Sequence, residues 1–370
     1  MFAKFFKPAT LTAGAWSSFR NDFLFAADHI VSYEYDKSFS KVGSFRMELP
    51  FSKVVLNKLK LNGTIFYDKD WLWVQDIDYD GKLITLSGTD CKGFLDTRIS
   101  LFADEQHPGT QGYDVATGST KTCVAHYIHN NCQYGGCESG RELPIVDVDG
   151  ASGLMSDSYM ARLEPLSDIV SRLCDNAGIG YDIISPRMGN GFVLRLVQGT
   201  DRSAAQSDHP RVIFSVRRGN VLTMRCEHGV ADSYNVIYGV DSNETVLPVH
   251  RSTPARHLQR RECTASISEV TAADPLFEKY ALHAIDDNVE THSYELDAAV
   301  KSGYRDAYDI GDIVSVQDAY TNNMDSYQIT AVNKIYRAGQ QSVSLTFGTP
   351  KQKPLQRIVN DFLSGTARRR

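Results

Sequence analysis

The sequence predicts an α+β fold that is mostly β, on three observations. Short alternating segments bounded by Gly, Pro and Asp fill residues 30–100 and again residues 293–347. One strongly periodic helix, residues 165–177, lies between them. Two hairpins, VQDIDYDGKLITLSG from Val74 and ITAVNKIYRAGQQSVSLTFG from Ile329, share one plan: a strand, a turn containing Gly, an alternating strand, then Gly.

Residues 1–28 are poorly patterned, and Trp16, Phe19, Phe23, Leu24 and Phe25 read as an arm that docks on something. Strands follow at residues 30–35 and 43–49. The second alternates Phe45, Met47 and Leu49 against Ser44, Arg46 and Glu48, as a half-buried antiparallel strand does. Pro50 ends it, because proline donates nothing to a ladder. A strand at residues 64–66 precedes the hairpin from Trp71. There Leu72 and Val74 share one face, Trp71, Trp73 and Ile77 the other, and Asp80-Gly81 supplies a two-residue turn. The return strand sets Leu83 and Thr85 against Ile84 and Leu86, and Cys91, Phe94, Leu95 and Ile99 follow at near-helical spacing.

Residues 103–119, rich in Gly, Asp, Thr and Gln, read as a surface loop. A helix is expected at 120–130, with Cys123, Val124, Tyr127 and Ile128 on one face. Residues 131–153 carry five glycines and little periodicity, which predicts a loop. In the helix at 165–177, Leu166, Ile169, Val170, Leu173, Cys174 and Ala177 form one stripe. Pro165 suits its first position and Gly178 its end. Strands are then expected at 192–197 and within 212–240, a helix at 274–287, and strands at 293–296, 313–317, 326–336 and 341–347. Leu355, Ile358, Val359, Phe362 and Leu363 fall on one face of a short C-terminal helix, which tertiary or partner contact must hold.

At 370 residues the chain can bury a large core in two to four domains. Its 42% hydrophobic and 23% charged residues are ordinary for a globular protein. A net charge of −6 gives no general attraction to nucleic acid; in a chain that lined a channel crossed by DNA it would suit passage better than binding. No run approaches the ~20 apolar residues that span a bilayer, so no stable membrane insertion is expected. Met1 to Pro8 lacks the apolar run of a signal peptide. Seven cysteines, an odd count, then read as reduced thiols in a chain made in a cytoplasm.

Several segments together carry a family resemblance. LSGTDCKGFLDTRIS, from Leu86, resembles a segment of siphophage tail-hub proteins, the baseplate hub or tail-tip proteins at the end of the tail tube. GSFRMELP, from Gly43, resembles that family's strand upstream. Gly199-Thr200-Asp201-Arg202, Val212-Ile213-Phe214-Ser215, Gly219-Asn220-Val221-Leu222 and Asp309-Ile310-Gly311-Asp312-Ile313-Val314 follow in the family's order. The resemblance implies two tube-type antiparallel β-barrel or sheet domains, an inserted α/β domain and a short C-terminal helix. On this layout residues 1–100, completed by about 200–235, form the first hub domain, 101–199 the insertion, 236–350 the second hub domain and 351–370 the helix and basic tail. It also implies a structural virion protein, with no enzymatic activity and no cofactor, that forms a homotrimeric ring. Such a ring joins the distal tail ring to the tape-measure protein and to tip or fibre proteins, with DNA only in passage.

The constellation His126, His129, Cys132 and Cys137 holds good zinc ligands, and i, i+3 spacing puts both imidazoles on one helix face. The spacing differs from established zinc fingers, and Gly135 and Gly136 leave Cys137 unconstrained, so a solvated helix face beside ordinary cysteines is expected and no metal. The turns at Gly88-Thr89-Asp90 and Gly199-Thr200-Asp201 lack the GxxxxGK[ST] pattern, and their aspartates are expected to bond nearby backbone amides. Asp76, Asp78 and Asp80 read as a solvated hairpin face. The rival reading is a tail-associated cell-wall hydrolase or metal-dependent hydrolase, whose two carboxylates need not be close in sequence. Leu355, Ile358, Val359, Phe362 and Leu363 are the candidate partner interface, with Arg368–Arg370 as a basic tip.

Overall fold

The structure, a computed structural model, describes residues 2–7, 11–12, 14–16, 23–61, 64–67, 70–101, 114–153, 155–185, 190–231, 233–251, 257–267, 270–275, 277–285, 291–298, 303–337 and 339–349. By contact the chain divides into two units, one of Met1–Met224 with Glu295–Phe347 and one built on Arg225–Tyr294.

In the first unit a continuous sheet takes the strands in the order Gln340–Thr349, Met324–Arg337, Ser32–Ser38, Ser44–Pro50, Leu83–Asp90, Trp71–Tyr79, Thr64–Tyr67, Ala3–Phe6 and Phe23–Ala27. Its pivot is the antiparallel pairing of Ser32–Ser38 with Met324–Arg337, which joins the first β-rich region to the last. Alternation sets the facing. Tyr33, Tyr35, Phe45, Met47, Leu49, Ile84 and Leu86 point into one core with Phe5, Phe66, Leu72 and Val74. Their neighbours Glu34, Arg46 and Glu48 stay at least partly exposed.

Four expectations are corrected here. Ala3–Phe6 and Phe23–Ala27, expected as an unpatterned arm that docks, are strands of the sheet itself, and Phe5 stacks between Phe25 and Phe66 at 4.4 and 5.1 Å. Phe19 lies outside the described residues. A bulge between Val74 and Asp76 resets the alternation, so Ile77 joins the core of Leu72 and Val74 while Trp71 and Trp73 face the other. The hairpin turn takes three residues, Asp80 to Lys82, with Gly81 at φ +84°, and the Asp80 carboxylate accepts from Lys82 N and Leu83 N at 2.9 Å. Finally, two expected loops contain strands. Asp114–Ser119 pairs antiparallel with Met155–Ala161, and Ile145–Gly150 pairs parallel with Phe192–Val197. A register shift between Ile145 and Asp147 leaves Ile145 and Val148 buried three apart, which hides the period of two.

These strands belong to a second core in the same unit. The helix Thr120–Cys132, capped by Ser119, buries Cys123, Val124, Tyr127 and Ile128. The helix Leu166–Ala177 buries Ile169, Val170, Leu173 and Cys174; Pro165 stands one position before its first residue, without a side-chain cap, and Gly178 closes it at φ +64°. Trp73, Phe94 and Phe192 meet edge-on and tilted in series, at 5.1 and 5.6 Å, and carry this core onto the back of the sheet.

The unit built on Arg225–Tyr294 has a three-stranded sheet, Val246–His250, Val236–Asp241 and Glu262–Ile267, with the last two parallel. The helix Phe277–His283, shorter than the expected 274–287, packs on it. Its Phe277 ring fits only because position 239 is glycine: a Cβ there would stand 2.7 Å from Phe277 Cζ. Among the described residues no helix is long and apolar enough to cross a membrane.

Candidate functional site

The sequence segments that look like signatures are, in space, partners of one another. Gly43 and Asp90 close the end of the Ser44–Pro50/Leu83–Asp90 pairing: Gly43 N donates to Asp90 Oδ2 at 3.1 Å, and Asp90 N donates to Gly43 O at 3.1 Å. Asp90 Oδ1 also accepts from Lys92 N. Gly199 to Arg202 lies along Gly311 to Ile313. Ile313 N donates to Thr200 O at 3.0 Å and Arg202 N to Ile313 O at 2.7 Å. The Asp312 carboxylate accepts from Thr200 N at 2.8 Å and Arg202 Nε at 2.9 Å. Both glycines are obligatory at this crossing, since a Cβ on Gly199 would stand 1.7 Å from Gly311 O. Ile213 and Phe214 pair with Ser315 and Val316, and Asn220 reaches back to Ser215 N and Ile213 O. Asp201 accepts from Ser203 N. These contacts hold distant segments of backbone together.

Beside this frame lies a buried charge cluster. Lys37 Nζ donates to Asp70 Oδ1 at 2.8 Å and to Asp182 Oδ2 at 2.7 Å. Lys334 Nζ lies 3.2 Å from Asp70 Oδ2, which the Arg305 guanidinium also grips. Lys37, Asp70 and Lys334 are each more than nine-tenths buried. Burial alone disfavours the Asp70 carboxylate, but Lys37, Lys334 and Arg305 outweigh it and hold its pKa well below the usual carboxylate range. Burial likewise lowers Lys37, and Asp182 and Asp70 more than reverse this, so it stays charged. Lys334, with a smaller share of Asp70, ends below its ordinary value through burial. Its ammonium sits between the rings of Tyr35 and Tyr304, 5.4 Å from each centroid.

A second ion pair lies nearby. Lys92, fully buried, donates to Ser38 O at 2.6 Å and stands 3.5 Å from Asp90. Burial pushes the Asp90 carboxyl up to about 6 against the pull of Lys92. A cleft of about 340 Å³ opens against the cluster, lined by Lys37, Asp182, Arg202, Arg305, Tyr308 and Asp309 among others. Every carboxylate of the cluster is engaged by a cation, so the arrangement fastens strands and loops in place.

Lys37, Asp70, Asp182, Arg305 and Lys334 were not singled out in the sequence, although a signal existed. Lys37 follows Tyr33 and Tyr35 on the buried face of its strand, and Lys334 falls between Val332 and Tyr336 on the buried face of the partner strand, directly opposite Tyr35. A lysine in an apolar register calls for a buried carboxylate, but which one depends on distant segments.

The residues singled out as metal ligands do not converge. His126 Nε2 is 2.6 Å from Asp114 Oδ1 and 3.2 Å from Asn130 Nδ2, while His129 Nδ1 pairs with Gln133 Oε1 at 3.1 Å. Cys132 is buried and its thiol donates to Ile128 O; Cys137 is partly exposed in the turn beyond. Among the described residues no group of three or more His, Cys, Asp or Glu is placed to hold a metal. Asp76, Asp78 and Asp80 are exposed. Leu355, Ile358, Val359, Phe362 and Leu363 lie outside the described residues.

The family model of the Siphovirus ReqiPepy6 Gp37-like protein matches residues 22–249. No curated protein matches the chain. Among solved structures, the 43 kDa tail protein of prophage MuSo2 from Shewanella oneidensis aligns at a TM-score of 0.51 with 14% identity, covering 93% of this chain and 97% of that one. The tail protein from Neisseria meningitidis MC58 aligns at 0.52 with 12% identity, over 93% and 96% of the two chains. A prophage tail protein from Listeria monocytogenes EGD-e aligns at 0.51 with 10% identity, over 97% and 98%. At these identities the likeness is one of fold.

Proposed function

We propose, from the premise that this chain belongs to the Siphovirus ReqiPepy6 Gp37-like family of siphovirus tail proteins, that it is a structural hub protein at the tail tip. The observation that carries the reading is the role of the signature segments. They are spent on pairing distant backbone, Gly199 with Gly311 and Gly43 with Asp90, and the buried charges beside them are spent on one another. This is the economy of a scaffold that must keep its shape as one part of a larger particle.

The proposed layout has a tube-type β-region on either side of the pairing of Ser32–Ser38 with Met324–Arg337, the second interrupted by the unit built on Arg225–Tyr294. Three copies would then present six such regions and match a sixfold tube. The ring joins the distal tail ring to the tape-measure protein and to tip or fibre proteins, lets DNA pass, and catalyses nothing. It resides in the virion after assembly in the host cytoplasm. The apolar positions Leu355, Ile358, Val359, Phe362 and Leu363 are proposed to contact a neighbouring chain or tip protein. Light scattering and negative-stain images of the purified chain, alone and with its distal tail ring protein, test this. A ring of three copies is expected. A monomer under both conditions overturns it.

A further inference from the structure

Residues 305–310 form one wall of the cleft described above, and the segment 303–310 that carries them is largely exposed or half-buried. Apart from Tyr308, which packs edge-on against Phe214 at 5.2 Å, no residue of the segment is buried. Asp306, Ala307 and Asp309 are exposed. The segment makes its own tight loop: Arg305 N donates to Tyr308 O at 2.6 Å, and Ala307 N to Gly303 O at 2.7 Å.

Two opposed forces meet at Arg305. Its backbone sits at φ +68°, a left-handed conformation that crowds the Cβ of a non-glycine residue. Its guanidinium reaches the buried Asp70 carboxylate and lies over the Tyr304 ring, 5.7 Å from the centroid. The backbone is thus strained, and the Arg305–Asp70 ion pair opposes its release together with the Tyr304 ring against Lys334, Tyr308 against Phe214 and Asp309 N on Asp312 Oδ2 at 3.0 Å. Removing that contact does not orphan Asp70, which keeps Lys37 at 2.8 Å and Lys334 at 3.2 Å. The Ser32–Ser38 and Met324–Arg337 strands beneath are held by their own ladder. The sheet's pairing therefore does not depend on the segment, although Tyr304 of the segment rests on Lys334 of the sheet.

We propose that residues 303–310 form a strap that opens and closes over the cleft as a local unit, latched by Arg305 on Asp70, while the sheet beneath stays folded. Opening uncovers the Lys37–Asp182 pair and the cleft wall between Gly199 and Arg202. A local opening of this kind has a signature in amide exchange, because hydrogen bonds within a small cooperative unit exchange below the global unfolding free energy.

The test is hydrogen–deuterium exchange by mass spectrometry on the native full chain and on R305M. In the native chain, peptides covering 303–310 are expected to exchange at least about 100-fold faster than those of residues 32–38 and 324–337. In R305M the strap peptides should speed up by a further factor of about 100, the scale of losing a buried ion pair, with the strand peptides unchanged. Strap peptides that exchange together with the strands in the native chain overturn the proposal, and this comparison stands even if R305M does not fold. A folded R305M whose strap exchanges at the native rate overturns the latch.

Discussion

Asp70 accepts three cations on two buried oxygens, and much of the first unit's electrostatics turns on that one side chain. Replacing it by Asn keeps the shape but leaves Lys37, Lys334 and Arg305 without their shared counter-ion. D70N is expected to lose about 3–5 kcal/mol of stability, since breaking a buried pair from one side leaves uncompensated charge. Urea unfolding measures this, and a loss under about 1 kcal/mol would show the cluster to be relaxed or wet. Asp90 is the opposite case. Its folded pKa, about 6, lies above the ordinary 3.8, so the folded state holds the proton more tightly. Its ionisation therefore weighs against folding above pH 6, and that penalty fades as pH falls toward 4. Asp70, held low, keeps its contribution until pH falls below the usual carboxylate range. Between pH 7 and pH 4 the native chain should gain up to about 3 kcal/mol relative to D90N. A gap that is flat with pH would place the Asp90 titration elsewhere. The turn aspartates Asp90 and Asp201 were legible in sequence, because each bonds the amide two positions on; the same bonding by Asp80 was not foreseen. The charge cluster was not, because its members come from residues 37, 70, 182, 305 and 334.

At the scale of elements, unbroken local periods were readable and broken ones were not. The helix Leu166–Ala177 and the strand Ser44–Pro50 stand where their patterns place them. Ile77 was assigned the wrong face because one extra residue at the bulge inverts a period of two. Ile145–Gly150 escaped notice for the same reason, compounded by its parallel pairing with a strand more than forty residues away. Packing between elements was invisible as well, and Gly239 shows why. In sequence it sits inside the strand Val236–Asp241, where glycine is a weak former; in space it makes room for Phe277. G239A places a methyl 2.7 Å from Phe277 Cζ and 2.9 Å from Ile267 Cδ1. Since both neighbours are buried, it should destabilise the unit built on Arg225–Tyr294 by about 1–3 kcal/mol. Thermal unfolding followed by proteolysis within residues 225–294 reports on that unit. An unchanged or raised midpoint would mean that Phe277 has room to turn away.

For the whole molecule, the consequential fact is that the chain closes on itself through a strand pair nearly 300 residues apart. Ser32–Ser38 has Ser44–Pro50 on one side and Met324–Arg337 on the other. The C-terminal hairpin is therefore part of the core sheet, and the position of a truncation decides its effect. Ending the chain at residue 353 keeps Gln340–Thr349, the last strand of the hairpin. The sheet should fold as before, with native circular dichroism and an unchanged unfolding midpoint. If Leu355, Ile358, Val359, Phe362 and Leu363 contact a neighbour, what this truncation loses is oligomer mass and incorporation into particles. Ending at residue 320 removes both strands of the hairpin. It bares the edge of Ser32–Ser38, uncovers Tyr33 and Tyr35, and strips Lys334 from Asp70. An unpaired apolar edge of that length is a template for aggregation, so this truncation should be insoluble or unfolded. A chain ending at 353 with the full chain's oligomer mass and particle incorporation would remove the reason to assign residues 354–370 to assembly. A soluble, folded chain ending at 320 would show that the first β-rich region stands alone and that the pairing across the chain is a late addition to it.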